Sequence, residues 1–137
     1  MAAITITAAN VARASGPTRT RRAGEAISPG ELYYIKASDK RAYKAVCTGT
    51  EEAASAVGVA LSGASAAGAP FVGQEGGEVD VGAVLTLGKA YVVSATAGKC
   101  IAVDELVNPN RISGVGYPKT TSRLKLAFCP SGAVVPA

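Results

Sequence analysis

The chain has 137 residues and a formal net charge of +4, and its 48% hydrophobic fraction rests on alanine, because only five Tyr, two Phe and no Trp are present. Histidine is absent, which removes the commonest neutral-pH acid/base group and the commonest metal ligand. No apolar run reaches the ~18 residues of a membrane-spanning helix, and no basic-then-apolar leader opens the chain. A soluble protein with no membrane partner, made in the cytoplasm, is expected. The three cysteines, Cys47, Cys100 and Cys129, are too widely spaced for a paired metal site and odd in number for a disulfide framework, so free thiols are expected.

The basic charge belongs to the front of the chain. Residues 1–44 hold eight Lys/Arg against three acids, and residues 45–137 hold six against seven. Ile4, Thr5, Ile6 and Thr7 alternate in β-branched residues and suit a strand that borrows an edge from a neighbour. Residues 10–23 show neither a helical nor a strand period, and Arg13, Arg19, Arg21 and Arg22 all precede the first acid, Glu25. Residues 1–23 therefore read as an extended basic N-terminal arm and residues 24–137 as a single domain.

From residue 24 onward, short strands alternate with glycine-bearing turns. Pro29 and Gly30 suit a turn, followed by strands over 32–36 and 41–47 that read as a hairpin. Thr50, followed by Glu51 and Glu52, has the form of a helix N-cap and acidic first turn, so a short helix competes with irregular chain over 50–56. Further strands are expected over 57–61, 71–74, 79–81, 82–86, 90–94, 99–103, 111–117 and 123–128. Glu75-Gly76-Gly77-Glu78 is the strongest local hairpin signal. One helical turn is conceivable over 103–108, ended by Asn108-Pro109. Short strands at this spacing predict an all-β domain, a barrel or a sandwich, behind the extended arm.

The chemistry available is thin. Glu51, Glu52, Glu75, Glu78, Asp80, Asp104 and Glu105 are the carboxylates after residue 44, and Glu75 and Glu78 flank a turn, where burial to raise a pKa is not expected. A cysteine nucleophile has no histidine base. Residues 73–78 lack the Lys-Ser/Thr of a phosphate loop, and no EF-hand spacing occurs. No catalytic residue, no metal site and no cofactor are expected, and the chain does not read as an enzyme. The arm is the segment where binding competes with an idle tail. Its arginines suit an acidic protein surface better than nucleic acid, since no aromatic residues interleave with them.

Several runs carry a family likeness: Gly24-Glu25-Ala26-Ile27-Ser28-Pro29-Gly30-Glu31-Leu32-Tyr33, Ala56-Val57-Gly58-Val59-Ala60-Leu61, the stretch 67–79 around Phe71-Val72-Gly73-Gln74, the stretch 82–94 around Leu87-Gly88-Lys89, and Gly114-Val115-Gly116. In their order and spacing, residues 24–133 resemble the head decoration, or cement, proteins of tailed bacteriophages. The resemblance implies a β-barrel or β-tulip domain on the outer surface of the capsid, bound to the major capsid protein. It also implies a homo-oligomer, a trimer or else a dimer, that stabilises the shell by bridging neighbouring subunits. The capsid-binding residues are then expected in the arm: Ile4, Thr5, Ile6, Thr7, Arg13, Arg19, Arg21 and Arg22. A tail, baseplate or fibre adaptor is the alternative role for such a module.

Overall fold

The computed structural model describes residues 4, 6–48, 50–106 and 110–134, the last five as backbone only. One 3₁₀ turn, Ala8–Asn10, precedes β1 (Ala12–Ser15), β2 (Thr18–Arg22), β3 (Leu32–Ile35) and β4 (Ala42–Lys44). The short helix α1 (Glu51–Ala54) leads to β5 (Gly58–Ala60), β6 (Pro70–Gln74), β7 (Glu78–Asp80), β8 (Tyr91–Val93) and β9 (Cys100–Ala102). A second 3₁₀ turn, Val103–Glu105, precedes the long strands β10 (Arg111–Pro118) and β11 (Arg123–Val134).

Local signals account for much of this. Thr50 caps α1, its hydroxyl accepting from the Ala53 N–H at 3.2 Å. The expected β3–β4 hairpin forms, and β10 and β11 pair as a second one. In β11, Leu124 and Leu126 face inward while their neighbours do not, as a half-buried strand with period 2 requires. Of the turn expected over 103–108, the first three residues are helical and 107–109 lie outside the described residues. Residues 82–86, expected as a strand, are irregular: the Gly82 N–H is bonded to the Asp80 carboxylate and the Leu85 N–H to the Thr121 carbonyl, which drops Leu85 into the core.

The strands form two antiparallel sheets, a six-stranded one in the order β1-β7-β11-β10-β8-β9 and a five-stranded one in the order β2-β6-β5-β3-β4. The expectation of a closed barrel or tulip is therefore corrected to two open sheets. In a flat five-stranded sheet the edges lie ~19 Å apart, yet Ala23, just past β2, bridges Ala42 of β4 in parallel. The smaller sheet thus curls without closing, because the chain leaves this single bridge at once for the 24–31 segment and builds no ladder. Inside the curl lie Ala23, Ile27, Tyr33, Ala42, Ala60, Ala64 and Phe71. The larger core lies between the sheets and joins Leu32 and Val59 of one to Val79, Val92, Val115 and Leu124 of the other.

The arm is corrected too. Residues 12–22 are not an extension outside the domain but the edge strand of each sheet in turn, β1 on β7 and β2 on β6. The hairpin expected around residues 75–78 does not form either, since β6 and β7 belong to different sheets. Residues 12–22 and 70–80 instead run side by side as one ribbon that crosses from sheet to sheet, and the glycines mark the crossing. A Cβ at Gly16 would come within 2.5 Å of the Gly76 carbonyl oxygen, so the two backbones touch where no side chain fits between them. Gln74, fully buried, staples the crossing: its Nε2 donates to the carbonyls of Ser15 (2.7 Å), Gly76 (2.8 Å) and Glu78 (2.7 Å).

Candidate functional site: a basic sheet edge

The four arginines expected to bind are divided by the fold. Arg13, on β1, donates to the Gly16 carbonyl at 3.0 Å. Arg21 is bound internally: its Nε and Nη2 donate to the two oxygens of Glu75 at 2.8 and 3.0 Å. Tyr33 completes the group by donating its hydroxyl to Glu75 at 2.8 Å. The Tyr33 ring reaches there by crossing Gly58 and Gly73, where any Cβ would collide with it, and meets Phe71 edge-on. The bidentate geometry raises the Arg21 pKa. Burial, together with the neighbouring carboxylate, raises that of Tyr33.

Glu75 is the case where opposing effects must be weighed. Burial pushes its pKa up, but the hydrogen bonds from Arg21 and Tyr33 outweigh burial and hold it below the ordinary 4.5. A depressed folded-state pKa stabilises the fold above the unfolded value and loses that contribution as the pH falls through the folded one. Glu75→Gln is therefore expected to cost about 1–2 kcal/mol at neutral pH and progressively less as the pH is lowered below 4.5. Urea unfolding midpoints at pH 7 and pH 3 check this; an equal deficit at both would refute it.

Arg19 and Arg22 remain. The Arg19 side chain is 65% exposed, with its nearest Glu75 oxygen at 4.0 Å. Arg22 is exposed and donates to the Gly68 carbonyl at 2.8 Å. Arg41, which reads from the sequence only as a strand residue, approaches the residue that Arg22 holds: a Cβ at Gly68 would lie 3.8 Å from its Nη1. Arg22 and Arg41 form no ion pair among the described residues. The six-stranded sheet differs, since its register sets Arg123 beside Asp80 and Lys125 beside Glu78 on adjacent strands. At β2, by contrast, Arg19 and Arg22 have no carboxylate oxygen nearer than 4.0 Å among the described residues.

Residues 4–7 lie elsewhere. The Ile4 N–H donates to the Cys100 carbonyl of β9 at 3.1 Å, and Ile4 and Ile6 rest on the main core. The Thr7 carbonyl accepts from the Asn10 N–H at 2.9 Å, while Thr5 lies outside the described residues. The segment lies against this chain's own edge rather than beside the arginines. Beneath it a hollow of about 230 Å³ is lined by Ile4, Ile6, Pro29, Glu31 and Lys99, and Glu31 there is held by the Ser28 N–H and by Lys44.

Two of the remaining carboxylates have local partners. Glu52 accepts from the Ala37 N–H, and Asp104 pairs with Lys89 at 3.2 Å. Among the described residues no group of three or more Cys, Asp or Glu is placed to hold a metal ion. Burial pushes the Cys100 thiol up to about 12 and raises that of Cys47, whereas Cys129 is exposed. A maleimide or disulfide reagent is therefore expected to label Cys129 rapidly in the folded protein and the other two only on unfolding. Mass spectrometry of the native protein showing rapid labelling at Cys47 or Cys100 would contradict this burial. Comparison of the chain with protein-family models, curated proteins and solved structures finds no match.

Proposed function

We propose that this is a binding protein of the virion, a head decoration protein of tailed bacteriophages, which sits on the outer surface of the capsid as a homo-oligomer and bridges neighbouring major capsid protein subunits. The observation that carries the reading is the β2 edge, where Arg19 and Arg22 stand exposed with little internal neutralisation beside a domain that resembles such proteins in its residue runs. Bridging needs surface area and repetition rather than a reactive group. Many identical copies make individually weak contacts effective together.

The test is occupancy on purified heads. Deleting residues 1–22 would remove β1 and β2 and strip the edges of both sheets, so the informative variant is the double substitution Arg19→Ala/Arg22→Ala. Wild-type protein is expected to co-sediment with heads and to give density repeated over the shell. The double variant is expected to bind about 5- to 20-fold more weakly at low salt, with a smaller gap at high salt. Failure to bind heads, or density confined to one vertex or the tail, would overturn the proposal.

A further inference from the structure

We infer that β2 accepts an extended acidic segment of a partner protein as a sixth strand, with carboxylates three residues apart, one meeting Arg19 and the other shared by Arg22 and Arg41. This rests on β2 as the binding edge and is independent of whether the partner is a capsid.

β2 is the last strand of its sheet and pairs on one side only, with β6. Its other side presents unpaired backbone groups, which is the template for strand addition. Thr18, Arg19, Thr20 and Arg22 are all exposed, so neither face of the strand is covered over most of its length.

The register decides the spacing. Arg19 pairs with Gly73 and Arg21 with Phe71, whose ring lies inside the curl of the sheet. Arg19 and Arg21 therefore share that face, and Arg22 lies on the other. Because Glu75 neutralises Arg21, the cations left for a partner are Arg19 on one face and Arg22 on the other. A strand laid along β2 meets both when its acids stand at i and i+3. At the second position Arg41 approaches Gly68, whose carbonyl Arg22 holds, so one carboxylate reaches two guanidinium groups. Asp39, which accepts from the Tyr43 hydroxyl and the Arg41 backbone N–H and whose pKa those bonds and the nearby Arg41 charge lower, offsets part of the positive charge at this position.

The same charges exclude the obvious rival occupants. Two copies paired through β2 would set arginines against arginines across the ladder, and like charges placed opposite destabilise a sheet. A single-stranded nucleic acid would find one partly exposed ring, Tyr43, and no run of stacking faces, because Tyr33 and Phe71 are buried.

The probes are two capped, fluorescein-labelled octapeptides of one composition. Thr-Val-Glu-Thr-Val-Glu-Thr-Val carries its acids at i and i+3, and Thr-Val-Glu-Glu-Val-Thr-Thr-Val carries them side by side. Fluorescence anisotropy at low salt is expected to show the spaced peptide binding several-fold more tightly. Arg19→Ala and Arg41→Ala are each expected to weaken it by about 3- to 5-fold. Hydrogen exchange on the unsubstituted protein, which needs no variant to fold, is expected to slow at residues 18–22 when the spaced peptide is added. Equal binding of the two peptides, no effect of Arg41→Ala in a protein of unchanged circular dichroism, or no protection at 18–22 would each overturn the inference. Tighter binding of an octathymidylate would overturn it in favour of nucleic acid. Head binding without peptide discrimination would leave the capsid reading standing and remove this one; peptide discrimination without head binding would do the reverse.

Discussion

Gly77→Ala is expected to destabilise the protein by about 3 kcal/mol or more, read from urea or guanidinium unfolding. Two effects combine there. Gly77 has a φ of 75°, a region that costs a residue with a Cβ about 1–2 kcal/mol. In addition, a Cβ would overlap the Ser15 carbonyl oxygen and approach the Gly16 Cα at 2.5 Å. Both of those atoms are backbone of the opposing segment in the crossing, so relief requires the ribbon to separate. Gly88 supplies the control: its φ is 87°, but nothing lies within 4 Å of its Cβ position. Gly88→Ala should therefore show the backbone effect alone. If the two substitutions cost the same, the close crossing contributes nothing to stability.

Gln74→Glu is expected to be still more damaging, at about 4 kcal/mol or more at neutral pH, and more so than Gln74→Leu at about 2–3 kcal/mol. The Gln74 amide has two protons for three carbonyl acceptors, so one bond is shared, and the group is fully buried. Leucine deprives those carbonyls of a donor. Glutamate sets a carboxylate oxygen against them, which adds repulsion to desolvation. The carboxyl is thereby favoured in its protonated form in the fold, and a raised folded-state pKa means stability that is fullest below the unfolded value of ~4.3 and declines as the pH rises through the folded one. The difference between the two variants should accordingly narrow toward pH 4. A gap that stays constant from pH 7 to pH 4 would show that Gln74 Nε2 does not face those three carbonyls.

These two predictions lie where the sequence reading and the structure part. Residues 75–78 announce a change of direction, and one occurs there. Whether strands joined by such a turn pair with each other depends on what else competes for their edges. Here β2 competes for β6 and β1 for β7, and these partners lie 48 to 68 residues earlier in the chain. The glycines that suggest a tight hairpin turn serve instead to let two backbones cross.

The basic segment was hidden for a related reason. A strand is legible when one face is buried, because burial imposes the apolar alternation. β2 is an edge strand that exposes Thr18, Arg19 and Thr20 on both faces, so nothing in its composition distinguishes it from an irregular arm. Edge strands carry charge for good reason, since charge deters indiscriminate pairing. The division of labour among the arginines was equally out of reach. Arg21 and Arg22 are neighbours in sequence, but alternation along the strand sends them to opposite faces, one to Glu75 and the other to Gly68.

What the sequence by itself determined is local: most strand positions, the β3–β4 hairpin, the Thr50 cap, the all-β class, and the concentration of positive charge in residues 1–44. Each follows from interactions within a few residues, such as alternation, capping and turn geometry. Only the tertiary structure decided that the sheets stay open, that residues 12–22 are the edge of both, and that Arg41 comes to the Gly68 that Arg22 holds while Arg21 is neutralised. Those outcomes depend on strand pairing across long sequence separations, where the backbone offers every strand the same hydrogen bonds and the choice of partner falls to the packing of the whole.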